Sequence, residues 1–176
     1  VKIALLKDPA LFARLERDAS RIAARDADAS RHAIRRSAEL HLAHIVEGGD
    51  PFEANEARPL DFGHWAAHRL ESMSSFAIPH GDAVALGLLL DCRYSNLKGW
   101  LSDADHGRIR ATIAALGLPM RHPLLADHAA LLAGADECRE QLGARLTITI
   151  LRGIGQGFEV HELDAELVRR AAAELA

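Results

Sequence analysis

Along most of this chain apolar residues recur near a 3.6-residue period, the spacing of one face of an α-helix. Between Asp8 and Glu47, Leu11, Leu15 and Ile22, then Ile34, Leu40 and Ile45, keep that spacing. Asp8 ahead of Pro9 is a helix start signal, and the polar run "RDADAS" divides the segment into two predicted helices. The stretch "EGGDPFEANEARP" mixes Gly, Pro, Asn and acids and predicts a loop, the kind of segment that lines sites. After Pro59, "LDFGHWAAHRLESM" predicts a helix, and Pro79 opens a longer one through about Tyr94. Ser102 N-caps a further helix that Gly117 stops, and another follows Pro123 to about Leu142. Near the end the period drops to two: "LTITIL" and "FEVHEL" flank the turn material "RGIGQG" and predict a short hairpin. A last helix is capped by Asp164, with Glu166 in its first turn. The pattern predicts a mainly α fold with one terminal β element, without internal repeats.

Composition narrows the class. The chain has 176 residues, 49% hydrophobic and 26% charged, values of one globular domain and not of a disordered or collagen-like chain. The net charge of -4 is spread over alternating acids and bases. No basic stripe points to nucleic acid and no polybasic patch to a membrane, so the expected partner is a small molecule. The longest apolar run, Ala83 to Leu90, is too short to span a bilayer. Two cysteines without metal or redox spacing and no signal-type opening make a reducing cytoplasm the expectation. The first residues, "VKIALL", are already apolar and periodic and carry no cap, which reads as a cut through a folded protein. Such a half-helix is expected to leave an apolar patch.

Residues 60–84 carry three of the ten histidines. His64 and His68 stand four apart and share a helix face. His80 falls in the first turn of the next helix, where a neutral imidazole can face the preceding one. Two imidazoles on adjacent helix ends can bind a divalent metal, but a zinc site takes three or four protein ligands and spacing supplies no third. The zinc-protease glutamate is absent from "HWAAH". On spacing alone, a metal pair and hydrogen-bonded core histidines both remain open.

The longer strings resemble a known family. "DFGHWAAHRLE" followed by "HGDAVALGLLLD" is similar to the "NFGHxxGHAxE" and "HGExVAxGM" blocks of 3-dehydroquinate synthase and related sugar phosphate cyclases. "VKIALLKD", "IRRSAELHLAHIV", "ARPLDFGH" and "LTITILRGIGQGFEVHELD" extend the resemblance, in order, along the chain. It implies that residues 1–176 are the helical C-terminal metal and substrate domain of this fold, without the NAD-binding α/β domain. It also implies a divalent metal, zinc or cobalt, held by His64 and His80, with the family's third ligand, a glutamate, falling two residues before Val1. By the same resemblance Lys2, Arg58 and His68 contact substrate or phosphate, and Arg139 takes the place of a late lysine. Homodimerisation is implied in the same way.

Three positions depart from the family pattern. Asp61 replaces the asparagine of "NFGH", His41 replaces the lysine of "SVELK", and Asp82 replaces the glutamate of "HGE". In the family the first two belong to a pocket that receives the substrate carboxylate. An acid for an amide and an imidazole for a fixed cation both weaken anion binding. The implied substrate is therefore a seven-carbon sugar phosphate without a carboxylate, such as sedoheptulose 7-phosphate, cyclised with loss of phosphate by a carbon–oxygen lyase reaction. In that chemistry Lys2 and Arg58 hold the phosphate, His68 moves a proton, and Asp61 acts near the reacting end or caps its helix. No strand followed by a glycine-rich turn and a helix is present for NAD, and "GIGQG" lies inside the predicted hairpin. The chain alone is thus expected to bind metal weakly and not to turn over. A helical metal-dependent phosphohydrolase and a degenerate, non-catalytic interaction module are the alternatives.

Overall fold

The computed structural model describes residues 1–47, 61–141 and 146–176, with 47 and 136–141 described by backbone alone. Helices α1 (Lys2–Lys7) and α2 (Pro9–Ala23) meet at Asp8. This residue ends the first helix and caps the second, its carboxylate accepting the Leu11 N–H at 2.8 Å with Pro9 in the first turn. Arg36 of α3 (Ala27–Glu47) donates to the other Asp8 oxygen, so three helices are tied at one carboxylate. The Leu11 N–H and the Arg36 guanidinium hold that carboxyl below its ordinary range. The break between α2 and α3 falls inside "RDADAS", at Arg25 with φ 60°, and Asp26 accepts the Ala29 N–H at 2.9 Å.

The core is organised around α5 (His80–Leu97), buried from Leu86 through Cys92. α4 (His64–Met73) runs antiparallel beside it. α6 (Asp103–Ala115), α7 (His128–Gln141) and α8 (Ala165–Ala173) complete the helical layer. Strands β1 (Ile148–Gly153) and β2 (Gln156–Val160) form an antiparallel hairpin that pairs Ile148 with Val160 and Ile150 with Phe158. β1 is buried on both faces between α1 and α5, whereas β2 alternates half-buried and exposed positions. The hairpin turn docks on the first helix: the Gly155 N–H donates to the Leu5 carbonyl at 2.6 Å. Ser102 and Asp164 cap α6 and α8 as predicted, accepting from Asp105 and from Glu166 and Leu167.

Several boundaries differ from the sequence reading. α4 begins at His64, not at Leu60, because Gly63 adopts φ 78° and occupies the cap position. Asp61 is therefore not the helix cap. α5 continues three residues beyond Tyr94. Pro123 opens only a 3-10 turn, Pro123–Ala126, capped by His122 Nδ1, and α7 starts at His128. The predicted end at Leu142 and most of the loop "EGGDPFEANEARP" lie outside the described residues. The apolar opening segment leaves no patch, since Ile3 through Leu6 are at most 7% exposed. Among the described residues, Ile34, Leu42 and Val46 of α3 are large apolar side chains that face outward, together with Phe76. Among the described residues no helix is long and apolar enough to cross a membrane.

α4 and α5 touch backbone to backbone. A methyl group on Gly87 would lie 2.0 Å from the Gly63 carbonyl oxygen, and one on Gly63 would lie 2.9 Å from the Leu88 nitrogen. Gly87→Ala is expected to cost at least about 1–3 kcal/mol by overpacking. Gly107→Ala, in open space on α6, should gain about 0.4–1 kcal/mol through the unfolded chain. Denaturant unfolding of the two variants checks both, and a Gly87→Ala variant as stable as the parent would refute the close approach.

Candidate metal centre

The turn Asp61–Phe62–Gly63 is fixed before the first helical residue of α4. Phe62 is fully buried, and the Gly63 N–H donates to Asp91 Oδ2 at 3.0 Å. The Trp65 indole donates to Asp91 Oδ1 at 2.9 Å. Asp91 thus uses both oxygens to hold the start of α4 against α5, at 1% exposure. Burial pushes its carboxyl up to about 7 against the pull of these two donors.

His64 follows directly from this anchor. Its Nδ1 lies 3.1 Å from the Phe62 carbonyl oxygen. A carbonyl only accepts, so Nδ1 carries the proton and Nε2 the lone pair. The Lys2 ammonium of α1 sits 3.4 Å from that Nε2. Burial and then the Lys2 charge lower His64 to about 4, so at neutral pH it is an uncharged donor of an electron pair, the form a metal requires.

The remaining groups come from helix geometry. His68 and Glu71 lie four and seven residues after His64, on the same face of α4. Antiparallel packing brings His80, the first residue of α5, against that face. Ring centroids are 5.6 Å apart for His64 and His68, 5.5 Å for His64 and His80, and 6.1 Å for His68 and His80. Glu71 Oε1 accepts from His80 Nδ1 at 3.0 Å. Donor atoms of His68, Glu71 and His80 all lie within 4.8 Å of one another. Ligand atoms of one tetrahedral zinc ion are about 3.3 Å apart, so these groups need to close in by up to about 1.5 Å. Imidazoles beside one carboxylate are a donor set suited to zinc or cobalt.

The three histidines singled out in the sequence are therefore together, with Lys2 beside them. His41 is exposed on α3 and shares with Val1, Lys2, Ile3, Ser37 and Ala38 a groove of about 350 Å³. Asp61 is half-buried at the foot of α4. Arg58 lies outside the described residues, as does the side chain of Arg139, whose backbone belongs to α7. Glu71 and Asp91 were missed. The signal for Glu71 was the i, i+4, i+7 spacing within "HWAAHRLE"; that for Asp91 was a lone acid in the apolar run "LLLDC". "GIGQG" is hairpin turn, and among the described residues no strand leads through a glycine-rich turn into a helix.

The family described as 3-dehydroquinate synthase C-terminal matches residues 1–137. A 3-dehydroquinate synthase of Xylella fastidiosa (strain M12) is 33% identical over 179 residues, covering 98% of this chain and 48% of that protein. One from Caulobacter vibrioides (strain NA1000 / CB15N) is 32% identical over 182 residues, covering 99% and 48%. The chain spans about half the length of the curated relatives it matches. Among solved structures, a 2-epi-5-epi-valiolone synthase from Streptomyces hygroscopicus subsp. jinggangensis 5008, with NAD+ and Zn2+ bound, superimposes with a TM-score of 0.91 at 24% identity, covering 99% of this chain and 48% of that one. A 2-deoxy-scyllo-inosose synthase complexed with carbaglucose-6-phosphate, NAD+ and Co2+ gives 0.61 at 18%, covering 78% and 39%. At these identities the two structures establish the fold.

The Asp91 anchor makes a pH-dependent prediction. Its folded-state value is raised, so its contribution to stability is whole below about pH 4 and is lost as the pH rises through about 7. Asp91→Asn does not titrate and leaves one N–H without an acceptor, at a cost of about 1–3 kcal/mol. Measured by denaturant unfolding, the parent's advantage over Asp91→Asn should narrow between pH 4 and pH 8. A gap independent of pH would contradict the assignment.

Proposed function

Since this chain belongs to the 3-dehydroquinate synthase family as its C-terminal domain, we propose that it is the metal- and substrate-holding part of an NAD- and divalent-metal-dependent sugar phosphate cyclase. The enzyme closes a carbocycle from a seven-carbon sugar phosphate with loss of phosphate, and an NAD-binding α/β domain works with this one. The observation that carries the reading is the histidine cluster, in which His64 and His80 both have Nδ1 engaged by an oxygen acceptor and Nε2 left as the lone-pair nitrogen.

In this reading His64 and His80 hold a zinc or cobalt ion through Nε2. Bound there, the ion supplies polarisation of a substrate carbonyl and a clamp on neighbouring hydroxyls, while NAD carries the hydride. The Lys2 ammonium, 3.4 Å from His64 Nε2, would give way to the ion and turn to substrate. There its ammonium and the Arg58 guanidinium hold the phosphate, one as a point charge and the other as a fork. Exposed beside the cluster, His68 takes the proton-moving role. His41, across the groove from Lys2, and Asp61 face the end of the substrate opposite the phosphate. There a carboxylate would meet an acid and an imidazole in place of an amide and a cation, so an uncharged polyol end is favoured. Arg139 adds a further substrate contact from α7. A homodimer in the cytoplasm, with a small-molecule substrate and neither nucleic acid nor membrane as partner, completes the proposal.

Cobalt titration of the chain, followed by turnover of the protein together with its NAD-binding domain, tests the reading. His64→Ala and His80→Ala are each expected to weaken cobalt binding at least about tenfold, and sedoheptulose 7-phosphate to be cyclised in preference to the carboxylate-bearing dehydroquinate precursor. Preference for the carboxylate substrate would overturn the roles of His41 and Asp61. Metal binding without turnover of either sugar would favour a non-catalytic module.

A further inference from the structure

We propose that Glu71 is a positioning residue for the metal: its carboxylate holds His80 as the Nδ1–H tautomer and so keeps the Nε2 lone pair available to ligate. The inference rests on the reading that His80 is a ligand. Glu71 Oε1 lies 3.0 Å from His80 Nδ1. An ionised carboxylate only accepts, so the proton of a neutral imidazole facing it sits on Nδ1. His64 shows the same arrangement with a different acceptor, the Phe62 carbonyl at 3.1 Å. Two histidines on two helices thus have Nδ1 engaged by an oxygen acceptor, which leaves Nε2 as the lone-pair nitrogen of each, facing the Lys2 ammonium in the case of His64. Metal-binding histidines typically donate their second N–H to a carboxylate or a backbone carbonyl in this manner, which orients the ring and raises its basicity.

The acceptor is also better fixed than the ring it holds. The Glu71 side chain is 15% exposed against 57% for His80. Its own carbonyl accepts from Ser74 Oγ at 2.9 Å and from the Phe76 N–H at 2.7 Å, where α4 ends and the chain turns toward His80. Glu71 therefore sits on a closed helix end and reaches across to the first turn of α5. The competing role makes Glu71 itself a ligand, its carboxylate on the ion in a set with His68 and His80. That set, His68, Glu71 and His80, does not include His64.

Long-range proton–nitrogen correlation spectra of the 15N-labelled, metal-free chain at pH 8 read the tautomer of each ring directly. The expected result is His80 as Nδ1–H in the parent, a shift toward Nε2–H in Glu71→Ala, and retention in Glu71→Gln, whose amide oxygen still accepts. His64 should stay Nδ1–H in all three and so reports that the fold is intact. His80 as Nε2–H in the parent, or no change in Glu71→Ala, would overturn the proposal. Cobalt supplies the second readout. As a positioning residue, Glu71 lost to Ala should weaken cobalt affinity by about 10- to 100-fold, while Glu71→Gln leaves the visible absorption bands in place. Displaced bands in Glu71→Gln would make Glu71 a ligand and overturn the positioning role. If the parent binds no cobalt, the metal reading fails, and the tautomer result still decides whether Glu71 sets His80.

Discussion

The close contact of α4 and α5 at Gly63 and Gly87 is the constraint on which the site depends. Neither position has room for a side chain, since each added carbon would strike the backbone of the other helix. Asp91 then locks the contact by accepting from Gly63 and Trp65. With the base of α4 pinned there, antiparallel packing leaves little freedom at its far end. His64, His68 and Glu71 share one face, and His80 meets that face at the start of α5. A slip of one residue would turn α4 by about 100° and scatter the cluster.

That anchor is built from groups whose electrostatics oppose one another. Asp91 is a carboxyl in an apolar helix, raised by burial and retained because two donors need its two oxygens. His64, one residue past the anchor, is pushed the other way, toward neutrality, by burial and by Lys2. The result is a ring that is rigid and uncharged, with its lone-pair nitrogen turned to a cation. A fixed imidazole of this kind costs little reorganisation when it binds an ion or a donor, which is how preorganised sites gain affinity.

Features governed by local chemistry were legible in the sequence. The caps at Asp8, Ser102 and Asp164, the break at "RDADAS" and the hairpin each depend on residues within a few positions, and the structure has them. The pairing of His64 with His68 followed from helical spacing and the place of His80 from the helix start at Pro79, and the family resemblance brought in Lys2. What could not be read depended on contacts distant in sequence. Gly63 takes a left-handed conformation because Gly87 and Asp91 approach it from α5, so α4 starts later than its composition implied. Glu71 earns no role until His80 is placed against it. Ile34 keeps helical period yet faces outward, because periodicity finds a face of α3 without saying which face the core covers.

The central claim is that His64 and His80 hold one divalent ion. Anomalous diffraction at the zinc edge, from crystals of the chain grown with zinc, tests it most directly. The account predicts a single strong peak about 2.0–2.1 Å from Nε2 of both His64 and His80, with the Lys2 ammonium displaced and Glu71 bonded to His80 Nδ1. A peak bound through Nδ1 of His80 with Glu71 and His68, or none within reach of His64, would contradict it.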